Sequence, residues 1–99
     1  MARLGDMAEK IRSKNAGPFW LTLDVFCGSQ AVYDRVVNGL ATNQVARLFK
    51  TPTAAIRRFD MPDLNVVKFS LPRPTIQGVP KDRDMHGASF AALLADIEV

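Results

Sequence analysis

The chain has 99 residues, 47% of them hydrophobic and 23% charged, which is the composition of one folded domain with a single core and not of a disordered chain. Thirteen Lys and Arg against ten Asp and Glu leave a net charge of +3, spread from Arg3 to Arg83 without the patch or stripe of a nucleic-acid module; an anionic small molecule or an acidic protein surface explains it equally well. A lone cysteine, Cys27, and a lone histidine, His86, exclude a disulfide framework and a Cys- or His-rich metal site.

No apolar run approaches the roughly 20 residues of a spanning helix. Arg3, Asp6, Glu9 and Lys10 interrupt the N-terminus where a secretory segment needs apolar residues. With the single cysteine, this predicts a cytoplasmic protein, one domain over residues 1–99, with no membrane contact, metal or cofactor.

In chain order, residues 3–12 are ambiguous. Leu4, Met7, Ala8 and Ile11 fit an amphipathic helix, but Gly5 and the short length favour an extended start running into a helical turn. Phe19 to Phe26 is the clearest strand, aromatic and β-branched, bounded by Gly17-Pro18 and Gly28-Ser29. Phe19, Leu21, Leu23 and Val25 share one apolar face; Trp20, Thr22, Asp24 and Phe26 share a mixed one. Ser29 is placed to cap a helix through Asn38, with Gly39 at its C′ position. Thr42 is placed to cap a second helix, Asn43 to Lys50, with Val45, Leu48 and Phe49 inward and Pro52 beyond.

Ala54 to Met61 and Leu64 to Leu71 read as a hairpin turning at Pro62-Asp63. Pro72-Arg73-Pro74 ends regular structure, and residues 72–87 form a long loop. Ala88 to Ala95 predicts a last helix and Ile97 to Val99 an edge strand. The order predicts an α+β two-layer sandwich, ferredoxin-like, with an antiparallel or mixed sheet and helices on one face.

Two segments carry more polar chemistry than turns require. Arg12-Ser13-Lys14-Asn15-Ala16-Gly17 reads as a loop with two cations, a hydroxyl, an amide and a glycine, groups that suit a carboxylate or phosphate. A solvated loop pairing with Asp6, Glu9 or a partner's carboxylates accounts for it equally well. Asp82-Arg83-Asp84-Met85-His86-Gly87 supplies acid/base groups, with Asp84 and His86 the candidates. Arg83 between the carboxylates opposes a cation, so a loop that salt-bridges to Arg12 and Lys14 is favoured over a metal site. Arg73, stiffened by its prolines, suits anion contact, although a rim salt bridge explains it as well. Cys27 reads as a small buried hydrophobe, and Arg57-Arg58 as splitting between the two faces of a strand.

The run Ile11 to Phe19, the Leu21-Thr22-Leu23-Asp24 after it, Pro72-Arg73-Pro74 and Asp82 to Gly87 resemble an uncharacterised family of bacterial proteins of about this length, a domain of unknown function. Members of that family are commonly encoded beside large proteins of the acyclic terpene utilisation (AtuA) type. They are also similar to the small ferredoxin-fold domain that ends many AtuA proteins, whose corresponding loop reads Arg-Ser-Gly-Asp-Lys-Gly. Arg12, Ser13 and Gly17 match that loop, whereas Lys14, Asn15 and Ala16 depart from it.

The resemblance implies a small accessory subunit that completes an anionic site, for a carboxylate or acyl-CoA, on a large AtuA-like partner, in hydration or dehydration. The site residues it implies are Arg12, Ser13, Lys14, Asn15, Gly17 and Arg73, with Asp84 and His86 as neighbours. A self-contained small enzyme or anion-binding protein that forms a homo-oligomer is the alternative. A nucleic-acid module is third, opposed by the low net charge. The subunit reading further expects an exposed apolar patch around Trp20 and Phe26.

Overall fold

A computed structural model describes residues 2–17, 19–72 and 90–99. The expected helix–strand order at the N-terminus is reversed. Leu4–Met7 forms a single turn of helix, α1, and Lys10–Asn15 forms a strand, β1. Leu4 is fully buried, so the apolar spacing marks a real turn. Gly5 permits it to lie against the C-terminal helix, since a Cβ there would stand 2.8 Å from the Ala95 Cβ.

Strand β2, Trp20–Phe26, pairs antiparallel with β1 from Lys10↔Phe26 to Asn15↔Leu21. The segment expected as a loop is therefore mostly strand, and the hairpin between β1 and β2 is closed by the Ala16 N–H donating to the Trp20 carbonyl at 2.9 Å. The physical reason is the ladder: alternate residues of β1 pair their backbone N–H and C=O groups with β2. Gly17, at φ +84°, makes the turn; a Cβ would meet nothing within 4 Å, so conformation, not close approach, selects glycine.

Helix α2, Gln30–Gly39, starts where Ser29 Oγ accepts from the Val32 N–H at 3.3 Å. Gly39 remains helical and Leu40 is the C-cap. Helix α3, Thr42–Leu48, begins one residue early: the Ala41 N–H donates to the Gln44 side chain at 2.8 Å, so Gln44 does the capping expected of Thr42. Its C-terminus closes with the Thr51 N–H on the Ala46 carbonyl and the Lys50 N–H on the Arg47 carbonyl, the paired bonds of a glycine-type cap. Lys50 occupies the left-handed position at φ 53°. A β-carbon is unfavourable there, so Lys50→Gly is expected to raise stability by about 0.5–1 kcal/mol. An unchanged or lower midpoint in thermal denaturation would show that the lysine is not strained.

After a 3-10 turn at Thr53–Ala55, β3 (Arg57–Met61) and β4 (Val66–Pro72) form the expected hairpin. Asn65, at φ 53°, ends its turn, a conformation asparagine tolerates. Helix α4, Phe90–Ala95, lies against β1, α1 and α3, with Phe90 edge-on to Phe49 at 5.9 Å.

The sheet order is β1-β2-β4-β3 with antiparallel neighbours throughout. Strands β2 and β3 run parallel with β4 between them, joined across α2 and α3. This is the ferredoxin-like crossover, with the remaining outer strand supplied as β1 from before the motif instead of after α4. The two ends of the chain make that substitution possible: the Ala2 N–H donates to the Val99 carbonyl and the Val99 N–H to the Ala2 carbonyl, at 3.2 and 3.0 Å. Residues 97–99 thus form one bridge, Arg3↔Glu98, and not a further strand of the sheet.

Leu21, Leu23 and Val25 of β2 and Val67, Phe69 and Leu71 of β4 are fully buried beneath the helices with Leu4, Val36, Leu40, Val45 and Leu94. The opposite face of the sheet carries none of the described helices.

Candidate functional site

Strand pairing divides the expected anion-binding run between the two faces. Ile11, Ser13 and Asn15 stand opposite Val25, Leu23 and Leu21 on the helix-covered side, while Lys10, Arg12 and Lys14 stand opposite Phe26, Asp24 and Thr22 on the open side. A two-residue period sends neighbouring side chains in opposite directions. Arg12, Ser13, Lys14 and Asn15 therefore do not converge on one ligand.

Ser13 has a structural task. Its Oγ accepts from the Ala91 N–H at 2.9 Å, supplying from another strand the side-chain cap that the first turn of α4 needs. Asn15 is half-buried on that same side. Arg73, Asp84 and His86, and the expected bridge from residues 82–84 to Arg12 and Lys14, lie outside the described residues.

The register arranges the open face as three complete rows across all four strands. One reads Lys10, Phe26, Val66, Met61; the next Arg12, Asp24, Lys68, Phe59; the third Lys14, Thr22, Ser70, Arg57. Trp20 and its partner Pro72 extend the face beyond the third row. Lys10, Arg12, Lys14, Arg57 and Lys68 face one carboxylate, Asp24. The face thus carries +4 where the whole chain carries +3. No ion pair among the described residues engages these five cations. Of the residues of the expected apolar patch, Trp20 is 40% exposed and Phe26 half-buried; on β3 of the same face Phe59 is 47% exposed. Beside it, a groove of about 560 Å³ follows the β3 edge, lined by Arg58, Phe59, Asp60, Met61 and Lys68.

Arg57 and Arg58 do split. Arg57 joins the open face, while Arg58 turns inward and makes a hub that sequence reasoning missed. Its Nη1 donates to the Leu40 carbonyl at 2.6 Å, its Nη2 to the Val37 carbonyl at 3.2 Å and its Nε to Asp60 at 2.9 Å. The guanidinium also lies 5.5 Å from the Phe69 ring centre. It thereby satisfies carbonyls at the C-terminus of α2, where a cation is electrostatically favoured. An unusually polar position on the core side of a strand was the only signal available.

Cys27 is 2% exposed, and burial pushes its thiol above the ordinary value of 9.0. Burial, then the charges of Asp60 and Asp34, push the Tyr33 phenol up as well. Neither is an activated nucleophile. Both folded values are raised, so their contribution to stability is full below the unfolded pKa and is lost as pH rises through the folded one. Stability is expected to be level near neutrality and to fall above about pH 9. In the native protein at pH 8, a thiol reagent is expected to modify Cys27 only as fast as the fold opens, and rapid stoichiometric labelling would contradict this.

Among the described residues, no group of three or more His, Cys, Asp or Glu is placed to hold a metal, and no helix is long and apolar enough to cross a membrane. The arrangement offers binding chemistry: cations, hydroxyls and aromatic faces on a rigid sheet. A family model described as "Domain of unknown function (DUF4387)" matches residues 4–98. No curated protein and no solved structure matches the chain.

Proposed function

The chain belongs to the DUF4387 family of domains of unknown function, and we propose that it is a non-catalytic small subunit whose open sheet face docks on a large acidic partner and completes an anionic substrate site between them. The observation that carries this reading is the concentration of charge: the open face holds more net positive charge than the whole chain, beside exposed Trp20 and Phe59. Aromatic side chains and arginine are enriched at protein interfaces. Self-association through this face would set five cations against five, so a different, acidic chain fits better.

The resemblance of Arg12, Ser13 and Gly17 to the loop of the AtuA-like small domain suggests an AtuA-like protein as that partner, and a carboxylate or acyl-CoA as the substrate. The split of that run between two faces narrows the contribution to substrate binding to Arg12 and Lys14, at the rim of the face. Ser13 holds α4 and Gly17 makes the turn. Hydration or dehydration would then be performed by groups of the large chain, with this one supplying charge and closing the site against water.

Sedimentation velocity of the purified chain mixed with an AtuA-like protein from the same genome tests the proposal. A co-sedimenting complex of fixed stoichiometry is the expected result; two independent boundaries at micromolar concentration would overturn it.

A further inference from the structure

We infer that the row Lys14, Thr22, Ser70 and Arg57 binds the carboxylate or phosphoryl end of a small ligand whose apolar part lies against Trp20. This deepens the subunit reading, on which it rests only for where the bound ligand is consumed.

The three rows differ in a way that selects this one. Along Lys10, Phe26, Val66 and Met61 the middle is apolar and offers an anion no hydrogen bond. Along Arg12, Asp24, Lys68 and Phe59 the middle already holds a carboxylate flanked by two cations as cross-strand partners. Only the third row has a cation at each end, two hydroxyls between, and no acid of its own.

Lys14 partners Thr22, Thr22 partners Ser70, and Ser70 partners Arg57, each directly across the ladder. Three strand spacings put the outer Cα atoms about 14 Å apart, a gap that a long lysine and a long arginine can bridge from opposite sides onto one anion. Charge from Lys14, the planar fork of Arg57 and two hydroxyl donors together match a carboxylate or a phosphoryl group.

Thr22 supports the assignment separately. It is 7% exposed although it lies on the face that no described helix covers, so its hydroxyl is largely withdrawn from water. The hydrogen bond it makes is a long one, 3.5 Å to the Lys14 carbonyl, at the limit of a real bond. Turning that hydroxyl to a charged acceptor gives up little and gains a charge-assisted bond. Two residues earlier on the same face, Trp20 stands 40% exposed beside Pro72, an apolar wall at one side of the row. The opposite side is bounded by Asp24 with its cross-strand neighbours Arg12 and Lys68. The ligand so described has one anionic group and an apolar chain or ring reaching past Trp20.

Trp20 is the only tryptophan, so its fluorescence reports on this row without a label. The purified chain is titrated at constant ionic strength with hexanoate, inorganic phosphate and coenzyme A in turn. A saturable change with at least one of them is expected, and the tightest of the three assigns the anion. In the double variant Thr22→Val with Ser70→Ala, affinity is expected to fall by about tenfold or more, with circular dichroism confirming the fold. Lys10→Gln, which removes a cation from the far row, is expected to leave affinity within about twofold.

No saturable response to any probe overturns the assignment. So does an equal loss in Lys10→Gln and in the double variant, which would indicate diffuse charge attraction. Complex formation with the large protein is measured separately. A complex built on a chain that binds no anion removes this site and keeps the subunit reading, whereas anion binding without a complex does the reverse.

Discussion

Replacing Arg58 with alanine is expected to lower the unfolding free energy by about 2–4 kcal/mol, a large loss for a residue on a strand at the edge of the sheet. The side chain is 17% exposed and holds the Leu40 and Val37 carbonyls and the Asp60 carboxylate at once, while stacking on Phe69. Alanine leaves those two carbonyls without the donor, removes the charge that the C-terminus of α2 favours, and takes the guanidinium off the aromatic ring. Each loss is of the order of 1 kcal/mol. Arg58→Lys is expected to fall between, because an ammonium cannot reproduce the planar fork that reaches both carbonyls and Asp60. Urea denaturation followed by circular dichroism measures both; a loss below about 1 kcal/mol for alanine would mean that solvent replaces the guanidinium freely.

The opposite pattern is expected from reversing charge on the open face. In the double variant Arg12→Glu with Lys14→Glu, stability should stay within about 0.5 kcal/mol, since neither cation has an ion pair among the described residues. Affinity for the large partner should fall by about 100-fold or more, because like charges set together across an interface cost several kcal/mol. Arg12→Ala should leave folding intact and strongly weaken activity of the reconstituted complex. If instead Arg12→Ala unfolds the protein, β1 depends on that side chain and the residue is structural. If the double reversal binds as tightly as the unaltered chain, the partner does not meet this edge of the sheet.

Taken together, the two predictions separate arginines that the sequence presents alike. Arg57 and Arg58 are adjacent, and alternation places them on opposite faces, which the strand pattern anticipated. What alternation could not supply was the destination of Arg58, because the carbonyls it caps belong to residues about 20 positions earlier, and their proximity exists only once α2 lies across the sheet. The apolar face of β2 and the β3–β4 hairpin were legible because their burial writes itself as a period of two. Strand β1 was not. Its inward residues are Ile11, Ser13 and Asn15, and two polar side chains facing a helix do not look like a buried strand face until the cap on α4 is seen. The same blindness joined Arg12, Ser13, Lys14 and Asn15 into one site when their positions on a strand divide them. The ferredoxin-like layering was readable from element order, whereas the placement of β1 as the outer strand depends on the pairing of the chain ends.

Side-chain footprinting of the complex tests the central claim most directly, that the open sheet face is the docking surface. Carbene or hydroxyl-radical labelling would be compared for the chain alone and for the chain with the AtuA-like protein. Trp20, Phe59 and Met61 report on the open face. Leu93, 47% exposed on α4, serves as a control on the helical layer. The account predicts strong protection of Trp20, Phe59 and Met61 in the complex, with labelling of Leu93 unchanged. Protection of Leu93 instead, with Trp20 and Phe59 labelled as in the free chain, would place the partner on the helices and contradict it.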